Sequence, residues 1–172
     1  MFRSLQLEAL TRSWDSGLWR ERNRDFVQRT LRGRFVLNQD LVSENLAALA
    51  GCLAKLREVL NVDRPGFLAS FLHHHTGERL LELMVEHAAK INIEVGQAVA
   101  KTPPTDYYSS FFCLQQAGWI SDEVARGLAE MASLRNVLVQ RYQTVSLEDL
   151  YAELDKSLPL WVGYLESVQD RL

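Results

Sequence analysis

Residues 135–142 bring two cations, an amide pair and a phenol into one short segment. Arg135 and Tyr142 also lie on an apolar stripe, because residues three and four apart return to the same face of a helix. The other members of this stripe are Val124, Leu128, Met131 and Leu138. Burying an arginine there is costly unless it is paired. The spacing therefore predicts that Arg135 faces a cleft, a partner subunit or an anion.

The polar side chains of this segment suit phosphate binding better than proton transfer. Arg135 and Arg141 can hold a phosphoryl group through charge-assisted hydrogen bonds, and Asn136 adds an amide beside them. Gln140 can donate and accept hydrogen bonds, but an amide does not titrate near neutrality and cannot serve as a general base. The sequence therefore predicts an anion or nucleotide site at Arg135, Asn136 and Arg141.

Two other groups of side chains have types that occur at catalytic or metal sites. The consecutive His73, His74 and His75 would point about 100° apart on a helix, so they are not expected to chelate one ion together. No metal site is predicted. Three glutamates recur at four-residue spacing, which favours a polar stripe over paired catalytic carboxylates. These glutamates are Glu78, Glu82 and Glu86, and Arg79 or the arginines of residues 135–142 are the expected partners of Glu82 and Glu86.

The composition is that of one soluble globular domain, with 47% hydrophobic and 24% charged residues in a chain of 172. Cys52 and Cys113 are widely separated, which indicates two buried or half-buried thiols in a reducing cytoplasm. Residues 1–35 hold eight arginines and four acids, a net charge of +4. Because the whole chain has a net charge of −3, residues 36–172 carry −7. Such an acidic body would bind RNA only through a local basic site. No stretch is apolar enough to span a membrane.

Apolar residues recur at helical spacing in four long segments, and none alternates as a half-buried strand would. Asp40 or Ser43 is the predicted N-cap of the first helix, Ser121 that of the third and Ser146 that of the fourth. The fourth stripe stays in phase across Pro159, which predicts a bend rather than an end. The long helices are predicted at about 42–60, 67–100, 121 to either 139 or 142, and 146–172, and a short one at 105–116, broken at Gly118.

The short connections predict an all-α fold, an up-down four-helix bundle with a short extra helix in the middle connection. This bundle is assigned to residues 36–172. Residues 1–35 are predicted to form an arginine-rich N-terminal helical arm that packs on the bundle or on a partner. Its apolar residues Leu7, Leu10, Trp14 and Leu18 have helical spacing. The alternative is that the natural chain begins near Val36.

Residues 135–142 resemble the motif of the HepT-like family in the HEPN superfamily, where an arginine is followed by four residues, a histidine, one residue and a tyrosine. This sequence has Arg135, then Gln140 where the family has histidine, then Tyr142. The resemblance covers about residues 40–172. It includes residues 77–91 with Glu86, the aromatic stretch at 107–114, and residues 118–120.

The resemblance implies the toxin component of a prokaryotic toxin–antitoxin pair. In the family, the arginine and histidine of two protomers are thought to meet across a dimer interface and to cleave RNA without a metal or cofactor. A nucleotidyltransferase antitoxin of the MntA kind transfers AMP to the tyrosine. By this resemblance Arg135 and Gln140 occupy the catalytic positions and Tyr142 the modification position. The implied partners are a second copy of the chain, an MntA-like antitoxin and RNA.

Gln140 weakens the ribonuclease chemistry that the resemblance implies. In that reaction the histidine takes the proton of a ribose 2′-hydroxyl while the arginine stabilises charge on the phosphate. Loss of a general base costs about 10²–10⁴ in rate. Residue 140 also lies about 140° around an ideal helix from Arg135, so one site needs either an unwound helix near Leu138 or two chains. Three functions stay open: a weakened or inactive toxin, a non-catalytic dimeric module that binds nucleotide, RNA or protein, and a structural bundle.

Overall fold

The computed structural model describes residues 37–100, 104–140 and 145–172. Within these ranges the chain forms six α-helices and no strand, which confirms the predicted all-α class. The helices are α1 (Gln39–Leu60), α2 (Arg64–Ala69), α3 (Phe71–Ala100), α4 (Tyr107–Gln116), α5 (Asp122–Gln140) and α6 (Leu147–Gln169). The predicted arm at residues 1–35 lies outside the described residues, as do Arg141 and Tyr142.

Two contacts between α1 and α3 show that these helices are antiparallel. The backbone N–H of Asn38, just before α1, donates to Oε1 of Glu94 at 2.9 Å. Farther along α1, Asn45 Oδ1 lies 2.9 Å from Nδ1 of His87. The residue number therefore rises along α1 as it falls along α3.

Contacts of α6 give the directions of the other long helices. Gly77 of α3 packs against Leu154, and Tyr164 donates a hydrogen bond to the carbonyl of Ala88, so α3 and α6 are parallel. Two glycine contacts occur in opposite order along α5 and α6, which makes these helices antiparallel. They are Gly127 with Leu160, and Gly163 with Val124. The four long helices thus alternate in direction, and α4 lies in the middle connection, as the sequence predicts.

The core carries a buried polar chain as well as aliphatic side chains. The Tyr164 hydroxyl donates to Asn92 Oδ1 at 2.7 Å, and Asn92 Nδ2 donates to Ser110 Oγ at 3.1 Å. Burial raises the pKa of Tyr164 well above its usual value. Phe111 and Trp161 pack edge-on against the Tyr164 ring and are fully buried. This network joins α3, α4 and α6 at one level of the bundle.

The second helix, predicted at about 67–100, is divided at Ser70 in the structure. Asp63 caps α2 by accepting from the Gly66 N–H at 2.9 Å, and Pro65 lies in the first turn of that helix. Ser70 has an extended backbone, and its hydroxyl accepts from the His73 N–H at 3.3 Å. Local capping therefore starts a helix twice within eight residues, and periodicity alone cannot detect this.

The other helix ends follow the sequence signals closely. Ser121 and Ser146 accept from the backbone N–H groups three residues on, as expected of N-caps. Pro159 lies inside α6 without ending it, and Gly118 turns the chain after α4 with a φ of 73°. Helix α1 begins earlier than predicted, because Asn38 is the residue whose side chain caps it.

Candidate functional site

Arg135 is buried on α5, with 2% of its surface exposed. Its Nη2 lies 3.2 Å from Oε1 of Glu86 on α3, and its Nη1 donates to Asn136 Oδ1 at 3.4 Å. The guanidinium carbon lies 5.2 Å from the ring centroid of Tyr107 on α4. Three helices therefore place a carboxylate and an aromatic face against one buried cation, which offsets its desolvation.

Local sequence signals position both partners of Arg135. Asp106 caps α4 in a capping box with Ser109, so that Tyr107 becomes the first residue of that helix and is buried. Glu86 is the last of the glutamates that recur every four residues along one face of α3. The glutamate pairing predicted from sequence is confirmed, because Arg79 binds Glu82 at 2.6 Å and Arg135 binds Glu86.

The contact of Tyr107 with Arg135 was not predicted from the sequence. Nothing in its spacing distinguishes an aromatic ring under a cation from one packed on aliphatic side chains. A usable signal is the buried arginine itself, since a cation on an apolar stripe needs an acid and a polarisable face nearby.

Gln140 is the last residue of α5 and is half-buried. Helix α5 is continuous from Asp122 through Gln140, without unwinding near Leu138. In an unbroken helix Gln140 lies about 140° around the axis from Arg135. The described chain therefore brings Arg135 and Asn136 together and leaves Gln140 facing another direction.

His87 neighbours Glu86 in sequence but contacts a different helix. Its Nδ1 lies 2.9 Å from Asn45 Oδ1 on α1. Burial is the main cause that lowers the pKa of His87. The positive charge of Lys90 lowers this pKa further, and the negative charge of Glu86 raises it. His87 therefore favours the neutral form, with one ring nitrogen engaged by α1.

The two cysteines are half-buried, as predicted. Burial raises the pKa of both thiols, with Lys55 opposing the shift at Cys52 and Asp106 adding to it at Cys113. Both thiols are therefore poor nucleophiles near neutrality. Among the described helices, none combines the length and apolarity needed to cross a membrane.

A family model described as ribonuclease HepT-like matches residues 49–168. Among curated proteins, the chain is 24% identical over 130 residues to the tRNA nuclease HepT of Aphanizomenon flos-aquae. This match covers 74% of the chain and 88% of that protein. A putative RNase of Archaeoglobus fulgidus is 34% identical over 67 residues, or 39% of the chain and 51% of the relative.

Solved structures share this fold. A tri-AMPylated HEPN toxin of Shewanella oneidensis, in complex with its MNT antitoxin, superposes with a TM-score of 0.70 at 20% identity, over 76% of this chain and 98% of that one. The Bacillus subtilis protein YutE, described as cytosolic and of unknown function, superposes with a TM-score of 0.69 at 14% identity, over 81% and 93%. At these identities the similarity shows the fold alone.

Proposed function

The chain belongs to the ribonuclease HepT-like family of the HEPN superfamily, and from this premise we propose that it is the toxin component of a prokaryotic toxin–antitoxin pair. It acts as a homodimer of ribonuclease lineage in which Gln140 replaces the general base. The tRNA nuclease relative supports the lineage, and the Shewanella oneidensis complex supports the kind of partner.

The observation that carries the dimer is the unbroken helix α5. One chain directs Arg135 and residue 140 about 140° apart around a regular helix, so it cannot readily present both to the same phosphate. Two chains can, if the arginine of one protomer meets residue 140 of the other. We therefore place the end of α5 at or near the interface, where Val139 is 41% exposed.

The chemistry proposed for this composite site is anion binding with little cleavage. Arg135, Asn136 and Arg141 hold a phosphate, and Gln140 orients a hydroxyl without removing its proton. Glu86 adds a further limit, because a phosphate must compete with this carboxylate for the guanidinium. Slow cleavage or none is the expected outcome.

The proposed protein partner is a nucleotidyltransferase antitoxin of the MntA kind, with Tyr142 as the residue that receives AMP. Support comes from the position of Tyr142 in the family motif and from the AMPylated state of the Shewanella oneidensis relative. The arm at residues 1–35 is proposed to make contacts within such an assembly, not to take part in chemistry.

A second candidate function is a non-catalytic dimeric module that binds nucleotide, RNA or protein. The burial of Arg135 and its pairing with Glu86 favour it, since both oppose recruitment of the guanidinium to a reacting phosphate. This role needs no proton transfer, so Gln140 in place of a histidine does not impair it.

Metal-free ribonuclease assays on purified wild type, Gln140→His and Gln140→Asn test the proposal. Wild type and the asparagine variant should cleave near background. The histidine variant should gain about 10²-fold, because it regains a group that titrates near neutrality. Equal activity of all three at background would favour the second candidate. Robust cleavage by wild type that Arg135→Lys leaves unaltered would contradict the assigned site.

A further inference from the structure

His74, His75 and Glu78 bring their donor atoms together near the start of α3. One nitrogen of each imidazole and one carboxylate oxygen all lie within 4.8 Å of one another. His75 Nδ1 and Glu78 Oε2 are 3.0 Å apart. His75 is exposed and His74 and Glu78 are half-buried, so solvent and ions can reach the cluster.

This clustering departs from the expectation based on backbone directions alone. Consecutive residues do leave a helix about 100° apart, but an imidazole extends far enough to swing toward its neighbour. Glu78 lies three and four residues beyond the two histidines, which puts its carboxylate on the face between them. The carboxylate is the element that the histidine triplet lacked when considered by itself.

We propose that His74, His75 and Glu78 form a Zn²⁺ site with two imidazole nitrogens and one carboxylate oxygen. Zinc–ligand distances of about 2.0–2.2 Å in a tetrahedron require donor atoms to be roughly 3.3 Å apart. The His75–Glu78 pair, at 3.0 Å, is already slightly closer than this, and the remaining adjustment needs only side-chain rotation at a partly exposed surface. A water molecule completes the fourth position.

Two features of the surroundings support a bound ion. The Nδ1 atom of His74 is shielded from solvent and has no hydrogen-bond partner among the described residues, so this imidazole is not committed to another group. The Phe71 ring lies 4.0 Å from the His75 ring and 5.6 Å from the His74 ring, centroid to centroid. The Phe71 ring therefore packs against both imidazoles of the cluster.

The donor set selects among cations. Two imidazoles with one carboxylate suit Zn²⁺ and related transition metals, whereas Mg²⁺ prefers an all-oxygen set. The site is also separate from Arg135, because Glu86 lies eight residues beyond Glu78, roughly 12 Å farther along α3. The bound ion therefore stabilises the start of α3, next to the break at Ser70, and takes no part in any chemistry at Arg135.

The test is a Zn²⁺ titration of the full-length, tag-free protein in competition with a chromophoric chelator. Wild type should bind one ion per chain, and His75→Ala and Glu78→Gln should each weaken binding at least tenfold. His73→Ala is the matched control, because His73 shares the triplet and an unsatisfied Nδ1 but not the cluster. It should bind within about twofold of wild type, and Mg²⁺ should not compete.

A second measurement guards against loss of folding. Far-ultraviolet circular dichroism should be alike for all variants, and Zn²⁺ should raise the Tm of wild type and His73→Ala but not that of Glu78→Gln. Binding that His73→Ala weakens as much as His75→Ala would reveal loose chelation by the triplet and overturn the site. Wild-type binding no tighter than that of Glu78→Gln would do the same.

Discussion

The guanidinium of Arg135 is held by groups from two other helices, and its environment explains why an arginine survives on an apolar stripe. A buried ion pair gains little over a well-packed apolar pair, but removing one partner is expensive because the other charge stays buried. Loss of Glu86 is therefore expected to lower stability more than loss of a carboxylate at the surface. Tyr107 cannot replace it, because a cation–π contact contributes only about 0.5–2 kcal/mol.

At this scale we predict that Glu86→Gln lowers the free energy of unfolding by roughly 2–3 kcal/mol. This is less than the 3–5 kcal/mol of a fully buried pair, because Glu86 is 28% exposed. The matched control is Glu82→Gln, which breaks the exposed pair with Arg79 and should cost less than about 1 kcal/mol. Urea unfolding measures both. Equal losses in the two variants would show that the Arg135 pair is not special.

At the scale of elements, one polar chain ties three helices together. Tyr164 of α6, Asn92 of α3 and Ser110 of α4 are fully buried, and each is satisfied by another member or by a nearby carbonyl. Such a network fixes the register of the helices, because sliding any one of them by a residue would leave buried polar atoms unpaired.

We predict that Tyr164→Phe costs about 1–2 kcal/mol at neutral pH, since it leaves Asn92 Oδ1 without its donor. Tyr151→Phe, at a half-buried position on the same helix, is the control and should change stability by less than about 0.5 kcal/mol.

The same variant has a pH signature. Because burial raises the pKa of Tyr164, this tyrosine stays protonated in the folded state while its unfolded counterpart ionises near pH 10. The stabilisation that the buried, protonated Tyr164 contributes is fully present below about pH 10 and is lost as the pH rises further. Wild type should therefore lose more stability than Tyr164→Phe between pH 9 and 11. Parallel losses would contradict the assignment.

Helix positions could be predicted from sequence far better than the environment of the site. Apolar stripes and capping residues such as Ser121 and Ser146 are local signals, and the structure follows them. The break at Ser70 was missed because the apolar spacing that predicts this helix begins only at Leu81 and does not show where the helix starts. The pairing of Arg135 with Glu86 was anticipated as one of several options, but its burial under Tyr107 depends on how α4 packs, which no local pattern encodes.

At the scale of the whole molecule, the described bundle leaves few large apolar side chains exposed. Phe71 and Leu72 lie at the start of α3, whereas Val139 lies near the end of α5, beside the proposed composite site. Val139 is therefore the exposed apolar residue that the proposed interface would cover, whereas Phe71 and Leu72 are exposed apolar residues away from α5.

We predict that Val139→Glu weakens the proposed homodimer at least tenfold, because it puts a charge into an apolar contact repeated by symmetry. Leu72→Glu, at a residue that is 71% exposed, should leave assembly unchanged. Light scattering or sedimentation over a range of micromolar concentrations gives both dissociation constants. A wild-type chain that remains monomeric throughout this range would contradict the dimer.

Because α5 is continuous through Gln140, the function of the proposed dimer depends on the concentration of the chain. If two chains must meet to complete one reaction centre, then by mass action the number of complete centres at low concentration rises with the square of the chain concentration. Halving the copy number removes about three quarters of the centres in that regime. Synthesis and turnover would then change the number of complete centres more steeply than they change the amount of chain.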